Sequence, residues 1–201
     1  MAKPGRPRSF DRQEALRRAM NVFWTLGYEG TTLVDLLEAM GNITPTSFYA
    51  AFGSKEQLFR EAIQLNNTTF GTKVMRNLNE QATARAAIEA LLRSAVNTFS
   101  ETDHPRGCML VLGATNCTRS NEKVQEYLRE MRLTTYKAIR QRLERGIKEG
   151  DIRAHADLNG LACFYTTVLH GLSIQARDNA SRKALTTAVD YAMSAWDGIR
   201  N

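Results

Sequence analysis

The stretch FWTLGYEGTTLVDLLEAMGNITPTSFYAAFGSKEQLF, residues 23–59, holds three helix starts in close succession. Thr32 with Asp35 can cap a first short helix, whose inner face is Leu33, Leu36, Leu37 and Met40. Gly41 and Asn42 both tolerate the left-handed conformation that a tight turn demands. Thr44 then reads as an N-cap, with Pro45 at the first helical position, where its missing N–H costs nothing. Phe48 and Phe52 lie four apart on one face, so both are expected to point inward. Ser54 with Gln57 opens the third helix, through Leu58, Phe59, Ala62 and Ile63.

Upstream, Asp11 and Glu14 form a capping pattern for a helix that ends near Gly27. Its expected inner face is Ala15, Leu16, Ala19, Met20, Phe23 and Leu26. A helix followed by two short helices across a tight turn is the helix-turn-helix plan. The second short helix divides its labour accordingly: Thr44, Thr46 and Ser47 can approach base edges, and Tyr49 can reach a phosphate. Lys55, at the start of the next helix, adds a second candidate phosphate contact. Pattern alone leaves open three small helices packed without nucleic acid.

The quoted segment resembles the DNA-binding domain of TetR-family transcriptional regulators, over roughly residues 10–60. The resemblance rests on GYEGTTL, on the Ser-Phe-Tyr of the second short helix, and on FGSKEQLF, in that order. It implies an all-α protein in which Thr32, Thr44, Pro45, Thr46, Ser47, Tyr49 and Lys55 lie at DNA. Ala50 and Ala51 depart from the aromatic and histidine that many members carry there, and the turn is one residue longer at Asn42. The first residues, AKPGRPR after Met1, are basic and rich in proline and glycine. Lys3, Arg6 and Arg8 are expected to enter the minor groove or touch phosphates, arginine being suited to a narrow negative groove.

The remainder is consistent with that reading. A net charge of +6 over 201 residues leans modestly towards an anionic partner, and 43% hydrophobic residues suffice for a core. No apolar run approaches the length of a membrane span, the N-terminus lacks a signal-peptide core, and three widely spaced cysteines suggest no disulfide framework. A cytoplasmic protein with reduced thiols, no membrane partner and no cofactor is expected. The expected organisation is a flexible basic arm over 1–9, a helix-turn-helix DNA-binding domain over 10–60, and an effector-binding and dimerisation domain over 61–201.

Within that last part a long amphipathic helix spans Glu122 to Glu149, with two further helices over about 156–177 and 181–199. Family resemblance implies a homodimer on a near-palindromic double-stranded operator, repression relieved by a small, largely apolar effector (with direct activation through the same DNA-binding residues as the alternative), and an interface on the last two helices. Candidates for that interface are Leu158, Leu161, Leu169, Leu172, Ala188, Ala192 and Ala195, with intrachain core as the alternative. Candidate pocket residues are Phe99, Met109, Tyr136, Phe164, Tyr165, His170 and Trp196.

In RGCMLVLGATNC, Cys108 follows Gly107 at an expected helix start, where the dipole and Arg106 would lower a thiol pKa. Cys108 is therefore a candidate sensor of electrophiles or oxidants, with core packing as the plainer alternative. If residues 108–117 form one helix, Cys117 faces the opposite side and the two thiols cannot pair. His104 and Cys108 have tolerable metal spacing, yet no further ligand pair supports them, so no metal is expected. An all-helical enzyme is the competing class, but no Ser/His/Asp group, phosphate loop or carboxylate pair favours it.

Overall fold

The computed structural model describes residues 10–198, and the described residues contain helices and no strands. The basic arm, with Lys3, Arg6 and Arg8, lies outside the described residues. Helix α1 (Arg12–Gly30) starts at Asp11, whose carboxylate accepts from the Gln13 and Glu14 N–H groups. It breaks at Gly27, whose φ of 72° suits a residue without a Cβ. Helices α2 (Leu33–Ala39) and α3 (Pro45–Phe52) follow, separated by Gly41 and Asn42, both at positive φ. The reciprocal Thr32–Asp35 capping box and the Thr44 N-cap are both present. Ser54 caps α4 (Lys55–Asn66) by accepting from the Gln57 N–H.

After α4 the chain widens into a π-turn over Asn67–Gly71, then continues as α5 (Thr72–Met75) and α6 (Asn77–Glu80). Helix α7 (Ala84–Ser100) precedes a loop and the single turn α8 (Met109–Leu112). The long α9 (Glu122–Lys148) leads to α10 (Leu158–Arg177) and α11 (Arg182–Ser194), close to the expected spans. Residues 108–117 are not one helix. The Gly113 carbonyl accepts from the Tyr28 N–H at 2.7 Å, which ties this loop to α1. The expected opposite-face separation of Cys108 and Cys117 on a common helix therefore fails, though both thiols are free.

Two hydrophobic cores organise the molecule. One gathers Phe23, Phe48, Phe59 and Ile63, and draws in Met109, Val124 and Leu128 from beyond residue 60. Phe23 and Phe59 meet edge-on with centroids 5.0 Å apart, a favoured aromatic geometry. The other core unites α7, α9, α10 and α11 around Leu91, Leu92, Leu143 and Tyr165. Packing thus has no seam at residue 60, and α4 runs across that position unbroken. Leu26, expected inside, is 48% exposed; Trp24 and Tyr28 are buried instead.

Polar latches reinforce the junction. Glu29 accepts from the Thr118 N–H at 2.6 Å, the Thr118 hydroxyl at 2.8 Å and Asn121 Nδ2 at 2.9 Å. These bonds, led by Asn121, hold its carboxyl below the usual range. On α10, the Arg177 guanidinium donates to the carbonyls of Trp24 and Thr25, near the end of the regular part of α1.

Candidate functional site

The helix-turn-helix presents one polar surface. Thr44, Pro45, Thr46 and Tyr49 are exposed, Ser47 is half-buried, and Phe48 and Phe52 anchor α3 from behind. Thr44 Oγ1 accepts from the Ser47 N–H at 3.2 Å and donates to Ser47 Oγ at 3.0 Å. Capping therefore occupies much of the Thr44 hydroxyl, while Thr46 has no side-chain bond of its own among the described residues. Thr32 is likewise committed, donating to Asp35 Oδ2 at 2.7 Å.

Arg12 fixes where α3 sits. Its guanidinium lies 4.5 Å from the Phe52 ring centroid, donates to the Ala51 carbonyl and pairs with Glu61 at 2.7 Å. One side chain thus joins the start of α1 to the end of α3 and to α4. Lys55 is half-buried, with its ammonium 4.3 Å from the Tyr28 ring centroid. Desolvation lowers its pKa, opposed mainly by Glu29. Its reach is set by Tyr28, unlike that of a free surface lysine.

A cavity of about 70 Å³ lies behind this domain. Its wall combines Trp24 of α1, Asn66 and Phe70 at the end of α4 and the π-turn, Phe99 of α7, and His170 of α10. Cys108, Leu110 and Arg132 close it. Arg132 donates to the Leu110 carbonyl at 2.9 Å, and desolvation lowers its pKa. Burial also lowers the His170 pKa, with Arg132 contributing second. Gly107, at φ 84°, brings its backbone so close to Ser173 that a Cβ would lie 2.7 Å from the Ser173 carbonyl oxygen.

Of the expected pocket residues, Phe99 and His170 reach this wall, as does Leu169 from the dimer set. The other five lie elsewhere. Met109 packs into the first core, and Tyr165 and Trp196 are fully buried together in the second, with centroids 5.9 Å apart. Burial pushes the Tyr165 hydroxyl up to about 12. Tyr136 is half-buried with its hydroxyl 3.5 Å from Asn159 Oδ1, and Phe164 is 42% exposed. Sequence reasoning missed Trp24, Asn66, Phe70 and Arg132. Only the width of the apolar arc on α1 hinted at Trp24.

Cys108 does border the cavity, but its expected electrostatics are corrected. Helix α8 is a single turn, and Arg106 reaches Asn179 at 3.4 Å. Burial pushes the Cys108 thiol up, against smaller lowering effects from the Val111 and Leu110 N–H groups and Arg132. In the dimer set, Leu169, Leu172 and Ala192 belong to the chain's own core, and Leu158 and Leu161 are half-buried against it. Ala188 and Ala195 are exposed, alongside Ile174 and Tyr191 at 47% and 75%.

Comparison with known proteins accords with this geometry. A family model described as bacterial regulatory proteins, tetR family, matches residues 15–62. A second, described as tetracyclin repressor-like, C-terminal domain, matches residues 84–192. The HTH-type transcriptional repressor ComR of Escherichia coli K12 is 33% identical over 193 residues, covering 96% of this chain and 91% of that protein. The repressor BdcR of the same strain is 26% identical, covering 96% of this chain and 92% of its own length. A cysteine-substituted CifR, a TetR-family regulator solved with 26-base-pair operator DNA, superposes with a TM-score of 0.91 at 46% identity. That match covers 95% of this chain and all of that one, 100%. The chain belongs to the TetR family of DNA-binding transcriptional regulators.

Proposed function

We propose that the protein is a homodimeric repressor that leaves a near-palindromic operator when a small, largely apolar effector enters the cavity. The observation that carries this reading is the position of Trp24. It lines the cavity, yet sits on α1 of the DNA-binding domain, so an occupant touches the element that positions α3. Release then follows if the effector binds the off-DNA arrangement more tightly than the DNA-bound one. The relatives ComR and BdcR are described as repressors, which supports the direction of control, and CifR is solved on operator DNA, which supports the DNA partner. The exposed apolar residues Phe164, Ile174 and Tyr191, with Ala188 and Ala195, supply a face for a second copy of the chain.

The test is fluorescence anisotropy of an operator duplex, with the operator obtained by selection from randomised DNA. Tight, salt-sensitive binding that small apolar compounds weaken supports the reading. Binding indifferent to every compound that raises the protein's melting temperature contradicts effector control.

A second reading makes Cys108 the point of control through reaction with an electrophile or oxidant. Its place in the cavity wall, which Arg132 and His170 also line, favours it, although burial pushes the thiol pKa up, away from the reactive thiolate. Cys108→Ser should then abolish release by hypochlorite or a quinone. Retained release in that variant removes Cys108 from the mechanism.

A further inference from the structure

Two residues of the cavity wall, Trp24 and Asn66, each carry a buried side-chain nitrogen without a hydrogen-bond partner, Nε1 and Nδ2, which a ligand reaches once it displaces part of the wall. These residues are only 2% and 3% exposed. Buried polar groups are nearly always paired, and those left unpaired at a cavity call for a ligand atom. An indole nitrogen can only donate, so the matching ligand atom is an acceptor. The rest of the wall sets the remaining chemistry. Phe70, Val74, Phe99 and Leu169 demand an apolar body and offer nothing to solvate a charge; the half-buried Arg132 disfavours a cation, and its guanidinium is already engaged with the Leu110 carbonyl rather than held free for an anion.

We infer that the effector is a neutral, predominantly apolar molecule carrying a carbonyl-type acceptor, and that the acceptor takes the indole N–H of Trp24. This rests on the effector-released reading above and narrows it to a ligand class. It also gives the ligand a grip on α1. Trp24 is held on its other sides by His104, stacked at 4.7 Å between centroids, and by Phe70 at 5.2 Å. A ligand drawing on the indole N–H therefore pulls on a ring packed between the DNA-binding helix and the regulatory helices.

Size points the same way. An engineered cavity of roughly 150 Å³ is what benzene occupies in another protein. The 70 Å³ found in this chain is smaller, so a ring-sized effector must displace part of the wall. The π-turn Asn67–Gly71 forms that wall beside Asn66, in a backbone form that often marks functional positions. Displacement of this turn moves the end of α4, which packs directly on α1.

Acetophenone and ethylbenzene provide the test, since they share a skeleton and differ by a carbonyl in place of a methylene. Operator release is read by anisotropy and binding by thermal shift, with benzoate and 1-phenylethylamine as charged controls. Acetophenone is expected to release the operator at about five- to tenfold lower concentration than ethylbenzene, the advantage of one buried hydrogen bond. Trp24→Phe keeps an aromatic ring but lacks the N–H, and should shrink that advantage to about twofold or less while ethylbenzene still acts. Trp196→Phe removes an indole N–H that lies in the second core and outside the cavity, and should retain most of the advantage.

Equal potency of acetophenone and ethylbenzene in the parent overturns the acceptor assignment but leaves effector release standing. So does an advantage undiminished in Trp24→Phe. Benzoate or 1-phenylethylamine outperforming acetophenone overturns the neutral class. If none of the four compounds alters melting or operator affinity, the inferred ligand class falls, while effector release is decided by the wider test above.

Discussion

Replacing Arg177 with methionine removes the guanidinium that α10 extends to the end of the regular part of α1, while keeping much of the side chain's apolar stem. In the parent the guanidinium donates to the Trp24 and Thr25 carbonyls. Hydrogen bonds to charged groups contribute about 1.5–3 kcal/mol each when well shielded. Arg177 is only half-buried, so the pair together is taken at about 2 kcal/mol. In a chain of this size, that loss lowers the melting temperature by about 4–8 °C. Differential scanning fluorimetry reads the shift, and far-ultraviolet circular dichroism confirms that the helices persist. Operator affinity should survive because α3 is held by Arg12 and the first core, both untouched. A variant that melts within about 1 °C of the parent would refute the reasoning, since the clamp would then contribute nothing measurable.

Other predictions follow from the same geometry. Deleting residues 2–8 removes Lys3, Arg6 and Arg8, and should reduce the slope of log affinity against log salt by about 2–3 per protomer, or about 5 for a dimer on its operator; an unchanged slope retires the arm as a DNA contact. In a background with Cys117 and Cys163 changed to serine, iodoacetamide should alkylate Cys108 roughly tenfold faster per pH unit between about pH 6.5 and 8.5. The sign follows from burial raising the thiol pKa, so each rise in pH increases the small thiolate fraction. A plateau below neutral pH would mean an acidified thiol instead. Converting Phe164 and Tyr191 together to glutamate places charges on the exposed α10–α11 face and should yield a folded monomer in sedimentation equilibrium. A dimer of unchanged strength would move the interface elsewhere.

Local chemistry was legible in the sequence. Asp11, Thr32, Thr44 and Ser54 cap helices through bonds to residues within three positions, so their pattern is readable without the tertiary structure. Gly41 and Asn42 advertised positive φ for the same reason. What failed depends on distant partners. Trp24 is buried because Phe70 and His104 come to cover it, and neither lies near it in the chain. Residues 108–117 looked helical, but helix formation yields where the Gly113 carbonyl turns to the Tyr28 N–H.

Arg132 lies on a helix rich in charge, which reads as solvated until the fold brings the cavity against it. Helices α10 and α11 are apolar on more than one side, so periodicity cannot tell the face that packs inward from the face left exposed. Leu169, Leu172 and Ala192 took the inward face, and Phe164 and Tyr191 the outward one.

A homodimeric repressor requires α3 to read a two-fold DNA site. Selection from randomised duplexes with the purified protein, followed by anisotropy on the recovered sequence, decides the point. The expected product is an inverted repeat whose half-sites lie about 34–36 Å apart, or a multiple of that spacing. Thr46→Ala and Tyr49→Ala should weaken binding to that repeat without lowering the melting temperature, because both side chains are exposed. Recovery of no inverted repeat, or full affinity in both variants, would contradict it.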